Sequence, residues 1–160
     1  MGRRDRAGMT LHELVVVLVI IGIAMALAGP RMEAMTAVIR TRGAANRLAG
    51  DLAYARHLAV QSGQRARLTV EPAADCAGAG GTAGHRYRLI VIAPESVAVT
   101  RDLRLDGARL CLWANGSGPV TFSSSGVLAG FNNRTLVLRQ DLHPPDTLTL
   151  SAVGRVRRRF

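Results

Sequence analysis

The chain has 160 residues, with 21 basic side chains, all arginine, against 11 acids, and a net charge of +10. A hydrophobic content of 48% excludes a disordered chain, and two cysteines exclude both a disulfide-dense scaffold and a four-cysteine zinc module. The charge is unevenly placed. Residues 1–8 hold three arginines against Asp5, residues 63–153 hold nine arginines against seven acids, and residues 154–160 hold four arginines and no acid.

Leu14 to Gly29 is a run of 16 residues without a charge. That is shorter than the roughly 20 apolar residues of a bilayer-spanning helix. The arginines before it predict a cytoplasmic N-terminus, with the rest of the chain outside the inner membrane. Three readings fit this end. One is a secretory signal peptide with its exit at Ala26-Leu27-Ala28. The second is a plain membrane anchor. The third uses Gly8-Met9-Thr10-Leu11-His12-Glu13, and it alone has a use for an ionisable residue at the mouth of an apolar segment.

The helical signal resumes after Pro30, which either kinks the helix or ends the membrane segment. Ala45, Leu48, Leu52, Ala55 and Ala59 recur at helical spacing and form one apolar stripe. Gly63 suits a C-cap. The expected helix runs from about residue 11 to 62, kinked or interrupted near Pro30 and Gly43. From Arg65 the period changes to two, and Ala66, Leu68 and Val70 mark the buried side of a strand. Further strands are expected over Tyr87–Ala93, Val97–Leu105, Arg109–Trp113, Val120–Ser123, Thr135–Arg139 and Thr147–Val153, separated by turn dipeptides such as Asp106-Gly107, Asn115-Gly116 and Pro144-Pro145. Residues 72–85, rich in Ala and Gly, read as a loop. The expected fold class is α+β, a long N-terminal helix packed on an antiparallel sheet head that forms one domain.

Candidate chemistry is sparse. Cys76 and Cys111 either form a bridge or remain two unpaired thiols with Cys111 in the core; no spacing argument brings them together. The histidines His12, His57, His85 and His143 lie far apart, and no metal-ligand spacing or Cys/His cluster occurs, so no metal and no cofactor is expected. Ser123-Ser124-Ser125-Gly126 is not a nucleophile elbow, and no triad order emerges, so the chain does not read as an enzyme. The sharper signal is Gly154-Arg155-Val156-Arg157-Arg158-Arg159. If Arg155 and Arg157 continue the preceding strand, they project from one face with Val156 on the other. An acid-free cluster of arginines is an electrostatic footprint for a polyanion, and the contact would be with phosphates. A solvated basic tail, or one docked on acidic neighbours, is the plainer reading.

The leader, ending in Gly8 and followed by Met9, Thr10 and Glu13, resembles that of type IV prepilins and type II secretion pseudopilins. The stretch Asn46 to Gly63 resembles the helix-to-sheet passage of the GspH/FimT subfamily. The resemblance implies a leader over residues 1–8, a helix over 9–62 with its membrane part at 11–29, and a β-rich head with a basic tail over 63–160. It implies cleavage after Gly8 by a prepilin peptidase and methylation of the new terminus at Met9. It implies that Glu13 pairs with the terminal amine of a neighbouring pilin or pseudopilin subunit, and that Pro30 is the helix kink. Met9 stands where most members have Phe, and His12 replaces a commoner apolar residue. The tail is similar to the Gly-Arg-x-Arg motif of FimT-type minor pilins, which bind DNA in natural transformation. That implicates Arg155 and Arg157, with Arg158 and Arg159 as further charge. The implied localisation is the bacterial inner membrane, single-pass, with the head in the periplasm and incorporation into a pilus or pseudopilus. The alternative is a secretion pseudopilin of the GspH kind that acts in protein export without binding DNA.

Overall fold

The computed structural model describes residues 10–76, 81–92, 95–104, 110–116, 118–130, 132–140 and 144–159, and for residues 27–34 the backbone alone. Gly8, Met9, the Asp106-Gly107 turn, Arg109, Ser117, His143 and Phe160 lie outside the described residues. The chain divides into two compact units, Met1–Thr36 and Ala37–Phe160. Helix α1 spans Leu11–Ser62 and so has residues in both. Its backbone is helical at Pro30 and at Gly43, and the expected interruption at those positions is absent. The Pro30 side chain lies outside the described residues.

In the first unit Thr10 caps the helix. Its hydroxyl accepts the Glu13 N–H at 3.3 Å, and its carbonyl accepts the Leu14 N–H at 3.2 Å. Glu13, in the first turn, also carries a negative charge near the positive end of the helix dipole. Leu14, Leu18, Ile20 and Ile23 are all exposed within the unit. Among the described residues no helix is long and apolar enough to cross a membrane. Sixteen residues at about 1.5 Å each reach about 24 Å, less than the roughly 30 Å of a hydrocarbon core.

In the second unit the helix presents Ala44, Ala45, Leu48, Leu52, Ala55 and Ala59 to the core, each almost fully buried. Gly63 then adopts a φ of 65°, the left-handed conformation that ends helices, and its N–H donates to the Val60 carbonyl. Among the described residues nine strands follow: β1 (Ala66–Glu71), β2 (Gly81–Gly84), β3 (Arg86–Ile92), β4 (Glu95–Asp102), β5 (Cys111–Asn115), β6 (Val120–Phe122), β7 (Arg134–Arg139), β8 (Asp146–Leu150) and β9 (Val156–Arg159). They form two antiparallel sheets, ordered β4-β3-β1-β6 and β2-β5-β7-β8-β9. Inward residues of both sheets, among them Leu68, Tyr87, Leu112, Phe122, Leu136 and Leu148, join the helix stripe in one apolar cluster. Full burial of a leucine such as Leu48 contributes about 2 kcal/mol through apolar area removed from water.

Two strands differ from the sequence expectation. β2 lies inside the stretch read as a loop. Its glycines hide it, because they lack strand propensity, yet the pairing needs them. A Cβ on Gly81 would stand 2.1 Å from the Ala114 carbonyl oxygen, and one on Gly84 would stand 1.7 Å from that of Glu71. The second is β9. The arginine segment does not continue β8. It returns beside it after a turn at Ser151–Gly154, so the expected strand over 147–153 is a shorter strand and a hairpin.

Candidate functional site

The C-terminal hairpin is built by local chemistry. The Gly154 N–H donates to the Ser151 carbonyl at 2.8 Å, and the Ser151 N–H donates to the Arg155 carbonyl at 3.0 Å. The Ser151 hydroxyl accepts the Arg155 N–H at 3.1 Å, and the Asn133 side-chain oxygen accepts the Ala152 N–H at 2.9 Å. Gly154 has a φ of 77°, and a Cβ there would stand 2.4 Å from the Gly126 carbonyl oxygen. That same carbonyl accepts the Arg56 Nε–H at 3.0 Å, so helix α1 holds the hairpin turn through Gly126. The glycine of the Gly-Arg-x-Arg segment is thus a steric requirement of this fold.

Strand alternation then sorts the arginines. Arg155, Arg157 and Arg159 are exposed, while Val156 and Arg158 turn toward the core side. Arg157 lies opposite Thr149, and Arg159 opposite Thr147. Arg158 departs from the expectation of a four-arginine binding tail. Its guanidinium donates to both carboxylate oxygens of Asp146, with Nε at 3.0 and 3.1 Å and Nη2 also engaged, and its Nη1 donates to Asn46 of the helix. Its side chain is only 14% exposed and that of Asp146 7%. Burying this charge is tolerable because it is paired and hydrogen-bonded. Arg158 fastens β9 to the head, and Arg155, Arg157 and Arg159 form the outward row.

The remaining charges sharpen that row. Each described carboxylate of the second unit contacts an arginine. Asp51 takes Arg101, Glu71 takes Arg86 and Arg88, Asp75 takes Arg104, Glu95 takes Arg67, Asp102 takes Arg86, and Asp146 takes Arg158. Among the described residues no carboxylate pairs with Arg155, Arg157 or Arg159. Two members of the row, Arg155 and Arg157, line a surface groove of about 330 Å³ together with Asn133, Thr149, Ser151 and Val153.

Elsewhere the fold makes contacts that sequence spacing did not reveal. Cys76 and Cys111 are joined by a disulfide, with Cα atoms 5.6 Å apart. His85 packs against that bridge, buried, with Nδ1 at 2.8 Å from the Leu110 carbonyl and Nε2 at 2.9 Å from Asp75. The sequence shows no Cys/His cluster, yet Cys76, His85 and Cys111 meet within 4.8 Å. Both sulfurs are engaged with each other. The hydrogen bond from His85 holds the Asp75 carboxyl below its ordinary value, with the charges of His85 and Arg104 adding to the effect. Asp102 is lowered too, mainly by the Arg104 backbone N–H and the Arg86 guanidinium. Burial and the Asp51 carboxylate push the Tyr87 hydroxyl well above its ordinary value, and that hydroxyl donates to Asp51 at 2.8 Å. Ser123 and Ser125 bond to one another at 2.9 Å in the turn before Gly126.

Glu13 is exposed on the first helical turn. Sequence reasoning named the arginines but missed their supports: Arg56, Asn46, Asp146, Asn133, Thr149 and Ser151. Thr149 alone had a signal, since counting a hairpin back from Gly154 sets it opposite Arg157.

Comparison with known proteins agrees with this architecture. The family model described as Type II transport protein GspH matches residues 44–154, and the one described as Prokaryotic N-terminal methylation motif matches residues 3–29. The arginines at 155–159 lie beyond the first match. The fold is similar to a crystal structure of the Pseudomonas aeruginosa (strain PAO1) type IV minor pilin FimU. The identity is 23% and the TM-score 0.59, with 79% of this chain and 92% of that chain covered. A second crystal form of FimU gives 22% identity and a TM-score of 0.52, covering 74% and 92%. No curated protein sequence matches the chain. With the family match spanning well over half of its length, and with the methylation motif at its head, the chain belongs to the GspH family of pilin-like proteins, the minor pilins and pseudopilins.

Proposed function

We propose that this protein is a non-enzymatic minor pilin that binds nucleic-acid phosphates through Arg155, Arg157 and Arg159 and acts in DNA uptake. The observation that carries this reading is the charge distribution. Every described carboxylate of the second unit is engaged by an arginine elsewhere, and the three outward arginines at the hairpin have none. Guanidinium groups keep their charge and match phosphate geometry in a bidentate fashion. Contacts of this kind position a nucleic acid without reading its sequence.

The remaining parts of the reading follow the N-terminal motif. A prepilin peptidase cleaves after Gly8 at the inner membrane, and Met9 is methylated. Glu13 then sets the register of assembly against the terminal amine of a neighbouring subunit, and Pro30 shapes the helix. The apolar run, short for a free-standing span, lies in the inner membrane before assembly and among the helices of neighbouring subunits afterwards. The head faces the periplasm. Exposed Ile39 and Val60 on the outer side of the helix suit packing against those neighbours.

The family description favours a second reading, a type II secretion pseudopilin that exports proteins without touching DNA. One experiment separates the two. The full chain in neutral detergent is titrated against a labelled DNA duplex at several salt concentrations. Loss of about two phosphate contacts in Arg155→Ala/Arg157→Ala flattens the salt dependence by about two in slope. Binding by the double variant equal to that of the parent at every salt concentration removes the nucleic-acid reading and leaves the export reading.

A further inference from the structure

The arginine row is one wall of a concave site whose other wall carries neutral hydrogen-bond donors. The groove holds Asn133, Thr149 and Ser151 beside Arg155 and Arg157, and no acid among the described residues lines it. The hydrogen bonds around it fix which polar ends remain open. The Asn133 oxygen is engaged by the Ala152 N–H, which leaves the amide nitrogen, a donor, as its open end. The Ser151 oxygen accepts the Arg155 N–H, and its own hydrogen remains to be donated. Thr149 is the cross-strand partner of Arg157, so its side chain stands beside that guanidinium on the outer face of the sheet. Val153, 61% exposed, adds an apolar surface at the rim.

A basic tail that acted only as a diffuse field would need none of this. Neutral donors on a hydrogen-bonded hairpin, set beside two cations, make a site for an anion of defined position. We infer that this groove seats one phosphodiester group of a nucleic-acid backbone. Arg155 and Arg157 neutralise the phosphate, Thr149, Ser151 and Asn133 donate to its oxygens, and Val153 packs against the adjoining sugar. The inference rests on the nucleic-acid reading and deepens it. It turns a charge-only contact into a positioned one, and it names donors outside the arginine motif. The seat reads the backbone and not the bases, so the ligand class is nucleic acid of any sequence.

The test uses Thr149→Val, which keeps shape and net charge and removes the hydroxyl. The full chain in neutral detergent is titrated with a DNA duplex across a salt series, next to the parent, Arg155→Ala/Arg157→Ala and Asn133→Asp. Asn133→Asp keeps the acceptor for the Ala152 N–H but replaces the amide donor. A hydrogen bond to a charged oxygen is lost in Thr149→Val, so its affinity falls about tenfold. Its salt slope stays that of the parent, because no cation is removed. Asn133→Asp also binds more weakly, with its melting profile unchanged. Parental affinity in Thr149→Val, with loss in the arginine variant, overturns the seat and leaves the nucleic-acid reading standing, whatever Asn133→Asp does, because that change also brings a negative charge to the groove. Parental affinity in all three variants overturns both. A parallel arm uses anionic phospholipid vesicles. Vesicle binding that depends on Thr149, without DNA binding, identifies a lipid headgroup phosphate as the ligand and overturns the assignment to nucleic acid.

Discussion

Gly154 shows how one residue controls the site. Its φ of 77° suits glycine, and the Gly126 carbonyl oxygen stands where a Cβ would be. Gly154→Ala therefore adds backbone strain and a clash, and destabilises the head by at least about 2 kcal/mol. Denaturant unfolding of the variant measures this directly, and hydrogen exchange across β9 should rise with it. Asp75 illustrates a titrating residue. The bond from His85 lowers its carboxyl below the ordinary value of 3.8. A lowered carboxylate contributes stability that is present above that ordinary value and lost as pH falls through the lowered one. The Asp75→Asn variant should accordingly show a shallower loss of stability below about pH 4, read as melting temperature against pH. A parental acid limb would mean that the His85 contact contributes nothing.

At the scale of elements, the helix and the sheets depend on one another. The stripe from Ala44 to Ala59 is built mostly of small residues, with Leu48 and Leu52 as the large ones. Small side chains let the helix backbone lie close to the strands, and the polar ties Asp51–Tyr87 and Arg56–Gly126 fix its position on them. The disulfide ties the segment after β1 to the start of β5, closing a loop of 35 residues. Chain entropy gives that closure about 4 kcal/mol of stabilisation. Cys76→Ser/Cys111→Ser, compared with the parent by denaturant unfolding, should lose an amount of that order. Its DNA titration should match that of the parent, because the bridge lies in another part of the head from β9.

For the molecule as a whole, distribution matters more than total charge. The net +10 is spread over residues 1–8, the long helix, the second unit, whose described acids are all engaged, and the C-terminal row. A uniformly basic surface would bind polyanions on every side. Here three exposed arginines gather along one edge strand, with Arg158 withdrawn into the fold. The two compact units divide the work the family implies: apolar side chains exposed in the first for assembly, and a cross-linked head in the second for display.

The helix over 11–62, its buried stripe and the change to a two-residue period after Arg65 were legible in the sequence, because periodicity and capping are local and repeat over many residues. The leader motif was legible for the same reason, as a fixed spacing of few residue types. Pairings between distant residues were not. β2 is made of glycines and alanine with one threonine, and it becomes a strand because β5 lies beside it. The disulfide joins positions that no spacing rule connects. The sequence singled out Arg155 and Arg157 and left Arg158 and Arg159 as further charge on the same tail. Only the tertiary structure set Arg158 against Asp146 and Asn46, turned the other three outward and placed Arg155 and Arg157 at the groove, because strand alternation decides the face and the packing of helix α1 decides which face is buried.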